Sequence, residues 1–107
     1  MELEVGMYVR TKWGDIGKVW LISENCTETF DFDLDNEKTY LDCEIKKSSY
    51  NIIDLIEVGD YVNGYKVMFN KNNCIMLSNG EIIREEKCIK SILTREQYEA
   101  NCYKIGE

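Results

Sequence analysis

The chain repeats itself once. Glu4-Val5-Gly6-Met7-Tyr8-Val9 returns as Glu57-Val58-Gly59-Asp60-Tyr61-Val62, a shift of 53 residues with five of six positions identical. Both copies lead on through a glycine turn into Lys-Val, as Gly17-Lys18-Val19 and as Gly64-Tyr65-Lys66-Val67. A period this long, seen twice, predicts two similar β-modules; a solenoid needs more copies. Ser48-Ser49-Tyr50 is the best boundary candidate, so the expectation is one module over residues 1–50 and a second over 51–107.

Dense turn signals predict short antiparallel strands. Asn63-Gly64 and Asn79-Gly80 read as two-residue hairpin loops with positive φ at both positions. Residues 70–73 supply another turn, 13–15 separate a strand over 7–12 from one over 16–23, and 35–37 separate 30–34 from 38–46. Strands this short and closely spaced read as a barrel or sandwich. Trp20 shares one strand face with Ile22, and Val19 shares the other with Leu21, so Trp20 is expected in the core. Thr94-Arg95-Glu96-Gln97 has the form of a capping box and predicts a short helix over 94–100, followed by a strand over 102–105. Asn51 is placed to cap one helical turn over 51–55. The fold class is therefore mainly β: two related SH3-like small barrels with one short helix near the C-terminus. The opening of the first half, Gly6-x-Tyr8-Val9 then Gly14-x-x-Gly17-Lys18-Val19, also resembles a KOW-type segment, which bears on fold alone.

The net charge of −7 is concentrated in one stretch. Residues 24–44 carry 8 acids against Lys38 alone, while the rest of the chain holds 12 acids and 12 bases. Direct binding to nucleic acid is disfavoured, because neutralising phosphates needs clustered lysine and arginine; a partner protein with a basic surface is favoured. No apolar run is long enough to span a bilayer, and Met1-Glu2-Leu3-Glu4 lacks the basic start of a secretion signal, so no membrane partner and a cytoplasmic location are expected. The five cysteines, Cys26, Cys43, Cys74, Cys88 and Cys102, form no Cys-x-x-Cys pair and read as small buried hydrophobes. Histidine is absent, which removes the commonest general base and metal ligand. No catalytic residue, metal site or cofactor is expected.

Phe30-Asp31-Phe32-Asp33-Leu34-Asp35 alternates apolar and acidic residues strictly, which puts Asp31, Asp33 and Asp35 on one strand face. With Glu37 and Asp42 they form the candidate partner-binding surface. A calcium loop is a poor fit to the same stretch: Asn36 stands where the loop needs glycine, Asp42 where it needs a bidentate glutamate, and the flanks are not helical. Trp13 lies in a turn, where a core role explains it less readily, and joins the partner-binding candidates. Trp13, Tyr61 and Tyr65 form an alternative set for stacking on a small ligand. Gly14-Asp15-Ile16-Gly17 lacks the lysine and helix start of a phosphate loop.

Residues 51–67, Asn-Ile-Ile-Asp-Leu-Ile-Glu-Val-Gly-Asp-Tyr-Val-Asn-Gly-Tyr-Lys-Val, resemble the signature segment of small proteins encoded by phages and prophages of Firmicutes. Residues 92–99 are similar to the closing segment of that family. Many relatives carry Lys-His-Ser where this chain has Lys46-Lys47-Ser48. The resemblance implies a viral context and supplies no active site. The expectation is a non-enzymatic binding protein in the host cytoplasm, an inhibitor of a host defence or nucleic-acid-handling protein of the anti-CRISPR sort. A homo-oligomer holding a nucleotide-like signal, and an interaction module of the virion or a phage regulatory complex, are the alternatives.

Overall fold

The computed structural model describes residues 3–24 and 30–102. The chain divides into two compact units, Met1–Leu55 and Ile56–Glu107. The break falls after Leu55, because the helical turn Ile52–Leu55 packs with the first unit. In that unit β1 (Tyr8–Thr11), β2 (Ile16–Glu24), β3 (Phe30–Leu34), β4 (Thr39–Leu41) and β5 (Ile45–Ser49) form an antiparallel sheet in the order β4-β3-β2-β1-β5. The second unit holds β6 (Tyr61–Val62), β7 (Tyr65–Lys71), β8 (Cys74–Leu77), β9 (Ile82–Ile83) and β10 (Ile92–Leu93) in the order β10-β6-β7-β8-β9, followed by the helix α1 (Arg95–Asn101). Each unit is thus a four-stranded meander. Its fifth strand returns beside the first after a 3₁₀ turn, Asp42–Glu44 in one and Glu86–Cys88 in the other. Among the described residues the outer strands of each sheet do not pair with one another, so the sheets are open and not closed barrels.

The repeated hexamer does the same work in both units. Gly6 and Gly59 have φ of 99° and 97°, a left-handed conformation that strains any residue with a Cβ. Gly6 N–H donates to Val19 O and Val19 N–H to Met7 O; Gly59 N–H donates to Val67 O and Val67 N–H to Asp60 O. The repeated glutamate ties the turn to the segment after the fifth strand: Tyr50 OH donates to Glu4 Oε1, and Arg95 Nη2 donates to Glu57 Oε1 at 2.9 Å. The match continues beyond the hexamer. Val19 pairs with Leu34 as Val67 pairs with Leu77, and both β2 and β7 carry a bulge just after that valine. Lys18 N–H donates to Asp35 Oδ1 at 3.0 Å, and Lys66 N–H to Ser78 Oγ at 3.2 Å.

The cores follow this equivalence. Val9, Val19, Phe32, Leu34 and Tyr40 are buried together in the first unit. The positions matching them in register, Val62, Val67, Ile75, Leu77 and Ile83, are each at most 1% exposed in the second. Each such side chain contributes about 1.5–3 kcal/mol through removal from water. Of these ten side chains only Tyr40 carries a polar group, and its hydroxyl donates to Asp15 Oδ2 at 2.8 Å while accepting from Asn36 Nδ2 at 3.0 Å. Burial first, then the Asp15 carboxylate, pushes the Tyr40 hydroxyl up to about 12.

Four expectations are corrected. Trp20 is not in the core but 57% exposed, because the bulge resets the alternation: Val19 and Ile22 face inward and Trp20 and Leu21 both face out. Asn79-Gly80 has positive φ at Gly80 only, so it is a turn ending in one left-handed residue; Asn63-Gly64 does have positive φ at both, as does Asn72-Asn73. The stretch 38–46 is two strands broken by the Asp42–Glu44 turn. No described cysteine is buried: Cys43, Cys88 and Cys102 are exposed and Cys74 is half-buried, the first two sitting in short 3₁₀ turns that have no inward face to fill. Cys26 lies outside the described residues, as does the strand expected over 102–105 beyond Cys102.

The caps form as expected. Thr94 Oγ1 accepts from Gln97 N–H and Gln97 Oε1 accepts from Thr94 N–H, starting α1 at Arg95. Asn51 Oδ1 accepts from Ile53 N–H at 3.1 Å and starts the turn Ile52–Leu55.

Candidate functional site

Two equivalent modules give an internal control. Side chains that match between them hold the shared fold; outward-facing side chains that differ show where one module carries a surface the other does not. The largest difference lies on the outer faces of β2-β3-β4 and β7-β8-β9. In antiparallel strands, residues directly opposite one another point to the same side. The first module therefore presents two rows, Leu21–Asp33–Thr39 and Ser23–Asp31–Leu41. Asp31 and Asp33 stand half-buried in the middle strand, and Asp33 Oδ1 accepts from Thr39 Oγ1 at 2.6 Å. Leu21 and Leu41, 43% and 50% exposed, occupy opposite corners around them.

The expected acidic residues do not all join this face. Asp31 and Asp33 do. Asp35 lies past the end of β3, where its carboxylate accepts from the Lys18 backbone. A Cβ on Gly17 would come within 2.7 Å of Asp35 Oδ1 and 2.9 Å of Leu34 Cβ, so this corner is closed tightly by the fold itself. Ser78 makes the same kind of bond in the second module, which identifies Asp35 as a turn-locking residue. Glu37 is exposed in that turn at φ 68°. Asp42 begins the 3₁₀ turn after β4. Leu21 and Leu41 were not expected here; the unbroken apolar run Val19-Trp20-Leu21-Ile22, which cannot alternate, is the signal that points to a bulge.

Trp13 lies in the β1–β2 turn of the first module, half exposed, with Lys12 Nζ 5.6 Å from its ring centre. Tyr61 and Tyr65 belong to the second module. Tyr61 stacks on Tyr98 of α1, ring centres 5.3 Å apart. A cleft of about 280 Å³ opens on one side of this pair, over Gly64, Ser91, Ile92 and Leu93. A second of about 260 Å³ lies against Gly59, Lys66, Arg95 and Glu99. The charge of Cys102, then of Tyr61, raises the Tyr98 hydroxyl above its ordinary range. Tyr65 is exposed and lines neither of these clefts. Among the described residues no three metal-ligating side chains converge, and no helix is long and apolar enough to cross a membrane.

Comparison with protein-family models, with curated proteins and with solved structures gives no significant match to the chain.

Proposed function

We propose that this protein acts by binding, without catalysis, and that its first module docks on a basic protein surface through the outer face of β2-β3-β4. The observation that carries the reading is the placement of Leu21 and Leu41 around Asp31 and Asp33. Exposed leucines framing carboxylates suit a docking patch: the apolar area supplies affinity, and the charges select a basic partner and speed its approach. A nucleic-acid backbone has no use for the leucines and repels the acids. The strand order supports reading each module as SH3-like, a fold that serves many functions. With the resemblance to phage proteins, the partner is a host defence or nucleic-acid-handling protein in the bacterial cytoplasm, and the effect is inhibition.

Affinity purification from an infected host identifies the partner, whose binding is then measured with purified protein. Reversing Asp31 and Asp33 to lysine abolishes that binding, and Leu21→Ser with Leu41→Ser weakens it at all salt concentrations. Binding that survives both changes ends the reading.

The two clefts beside Tyr61 and Tyr98 favour a second reading, in which the second module holds a small planar ligand against the tyrosine pair. Ligand released on heating the purified protein, and absent from Tyr98→Ala, supports it; an empty wild-type protein ends it.

A further inference from the structure

The outer face of the second module differs from that of the first in the opposite sense. Its rows are Phe69–Met76–Ile82, matched through the same register, and Lys71–Cys74, in line with Arg84 one residue past the end of β9. Arg84 takes the place of Leu41: it follows inward-facing Ile83 and is exposed. Met68, at the bulge position that Trp20 holds in the first module, is 50% exposed beside them. This face has four apolar side chains and two cations, with no carboxylate among its six positions. The first module's face has two leucines and two carboxylates, with no cation among its six.

We propose that the chain associates with itself, the first module's face of one copy docking on the second module's face of another. This deepens the reading of the first face as a docking surface for basic partners, and rests on it. The charge complementarity is side by side with the apolar match: Asp31 and Asp33 meet Lys71 and Arg84, while Leu21 and Leu41 cover Phe69, Met76 and Ile82. Such a contact desolvates apolar area on both partners and aligns opposite charges, the two requirements of a specific interface. A contact between unlike faces leaves one of each kind unused in a dimer, so assembly continues with concentration unless a ring closes. Self-association then competes with the host partner for the acidic face.

Sedimentation or light scattering over a concentration series tests this. The wild-type mass rises above the 12.6 kDa of one chain, less so at high salt. Asp31→Lys with Asp33→Lys stays monomeric, since both faces are then basic. Lys71→Glu with Arg84→Glu stays monomeric, since both are acidic; these two side chains are exposed, and circular dichroism checks that both double variants fold. An equimolar mixture of the two regains association, because each supplies the sign the other lacks. Wild-type protein that remains monomeric up to about 1 mM, the weak limit of useful affinity, overturns the inference, as does a mixture no better associated than its components. If wild-type protein is monomeric yet loses its host partner on reversal of Asp31 and Asp33, this inference fails while the docking reading stands.

Discussion

Asp60 stands in the second module where Met7 stands in the first, and both accept the N–H of the repeated glutamate three residues earlier. Glu57 N–H reaches Asp60 Oδ2 at 2.7 Å, and Glu4 N–H reaches Met7 Sδ at 3.3 Å. Asp60 does more: its Oδ1 accepts Arg95 N–H at 2.9 Å, so one fully buried carboxylate holds both the opening turn and the first residue of α1. Asp60→Ala strands two backbone donors and costs roughly 3 kcal/mol. Asp60→Met, which installs the first module's residue, costs about half as much, because a thioether can still accept Glu57 N–H and only Arg95 loses its acceptor. Denaturant unfolding measures the loss, and amide exchange locates it at Glu57 and Arg95.

Glu37 holds φ at 68° where the second module uses Gly80 at 88°. A residue with a Cβ is strained there by roughly 1 kcal/mol. Relief of that strain, less the roughly 0.5–1 kcal/mol cost of glycine's greater freedom in the unfolded chain, leaves Glu37→Gly stabilising by up to about 0.5 kcal/mol. A rise in the denaturation midpoint is the expected result. Partner binding is retained, since Glu37 lies off the Asp31–Asp33 face.

Gly17 is required for space. An added methyl would stand 2.7 Å from Asp35 Oδ1 and 2.9 Å from Leu34 Cβ, and the latter is buried core. Gly17→Ala forces β2 and the end of β3 apart and destabilises by about 2 kcal/mol. Thermal unfolding of Gly17→Ala beside Gly64→Ala separates sterics from conformation: Gly64 has no atom within 4 Å of its added methyl but sits at φ 87°.

Tyr40 titrates late. Its hydroxyl is pushed to about 12 in the folded protein against 10.0 for the free side chain. Above pH 10 the unfolded chain releases this proton while the native state keeps it, so the unfolded state gains. The contribution of Tyr40 to stability is thus complete below pH 10 and falls away as pH rises to about 12. Tyrosinate absorbance of the wild type and of Tyr40→Phe differs by one group titrating at about 12, and the substitution also removes its share of the alkaline loss.

Much of the fold is legible from residue order. The repeated hexamer predicts two modules because its glycine fixes a left-handed turn, and the same turn forms twice. The alternation of Phe30, Phe32 and Leu34 gives the inward face of β3 directly. What is hidden depends on pairing between strands. Val19-Trp20-Leu21-Ile22 has no phase of its own, and only pairing with β3 shows that two residues there face out. Asn79-Gly80 looks like a two-residue loop until Leu77 N–H is found on Glu81 O, which lengthens it. The candidate face is half legible: Asp31 and Asp33 by alternation, Leu21 only as part of a run that cannot alternate, and Leu41 not at all. Asp35 has the right period but falls past the last paired residue, so local geometry claims it for the turn.

Arg10 and Asn70 bring out what the junction between the halves permits. Arg10, fully buried in the first module, donates from Nη1 to the carbonyl of Leu55, and Asn70 of the second donates to the carbonyl of Ile56. Neighbouring peptide groups are thus each gripped by their own half. Severing the backbone between Leu55 and Ile56 takes neither anchor away, so either half is suited to being transplanted into an unrelated chain.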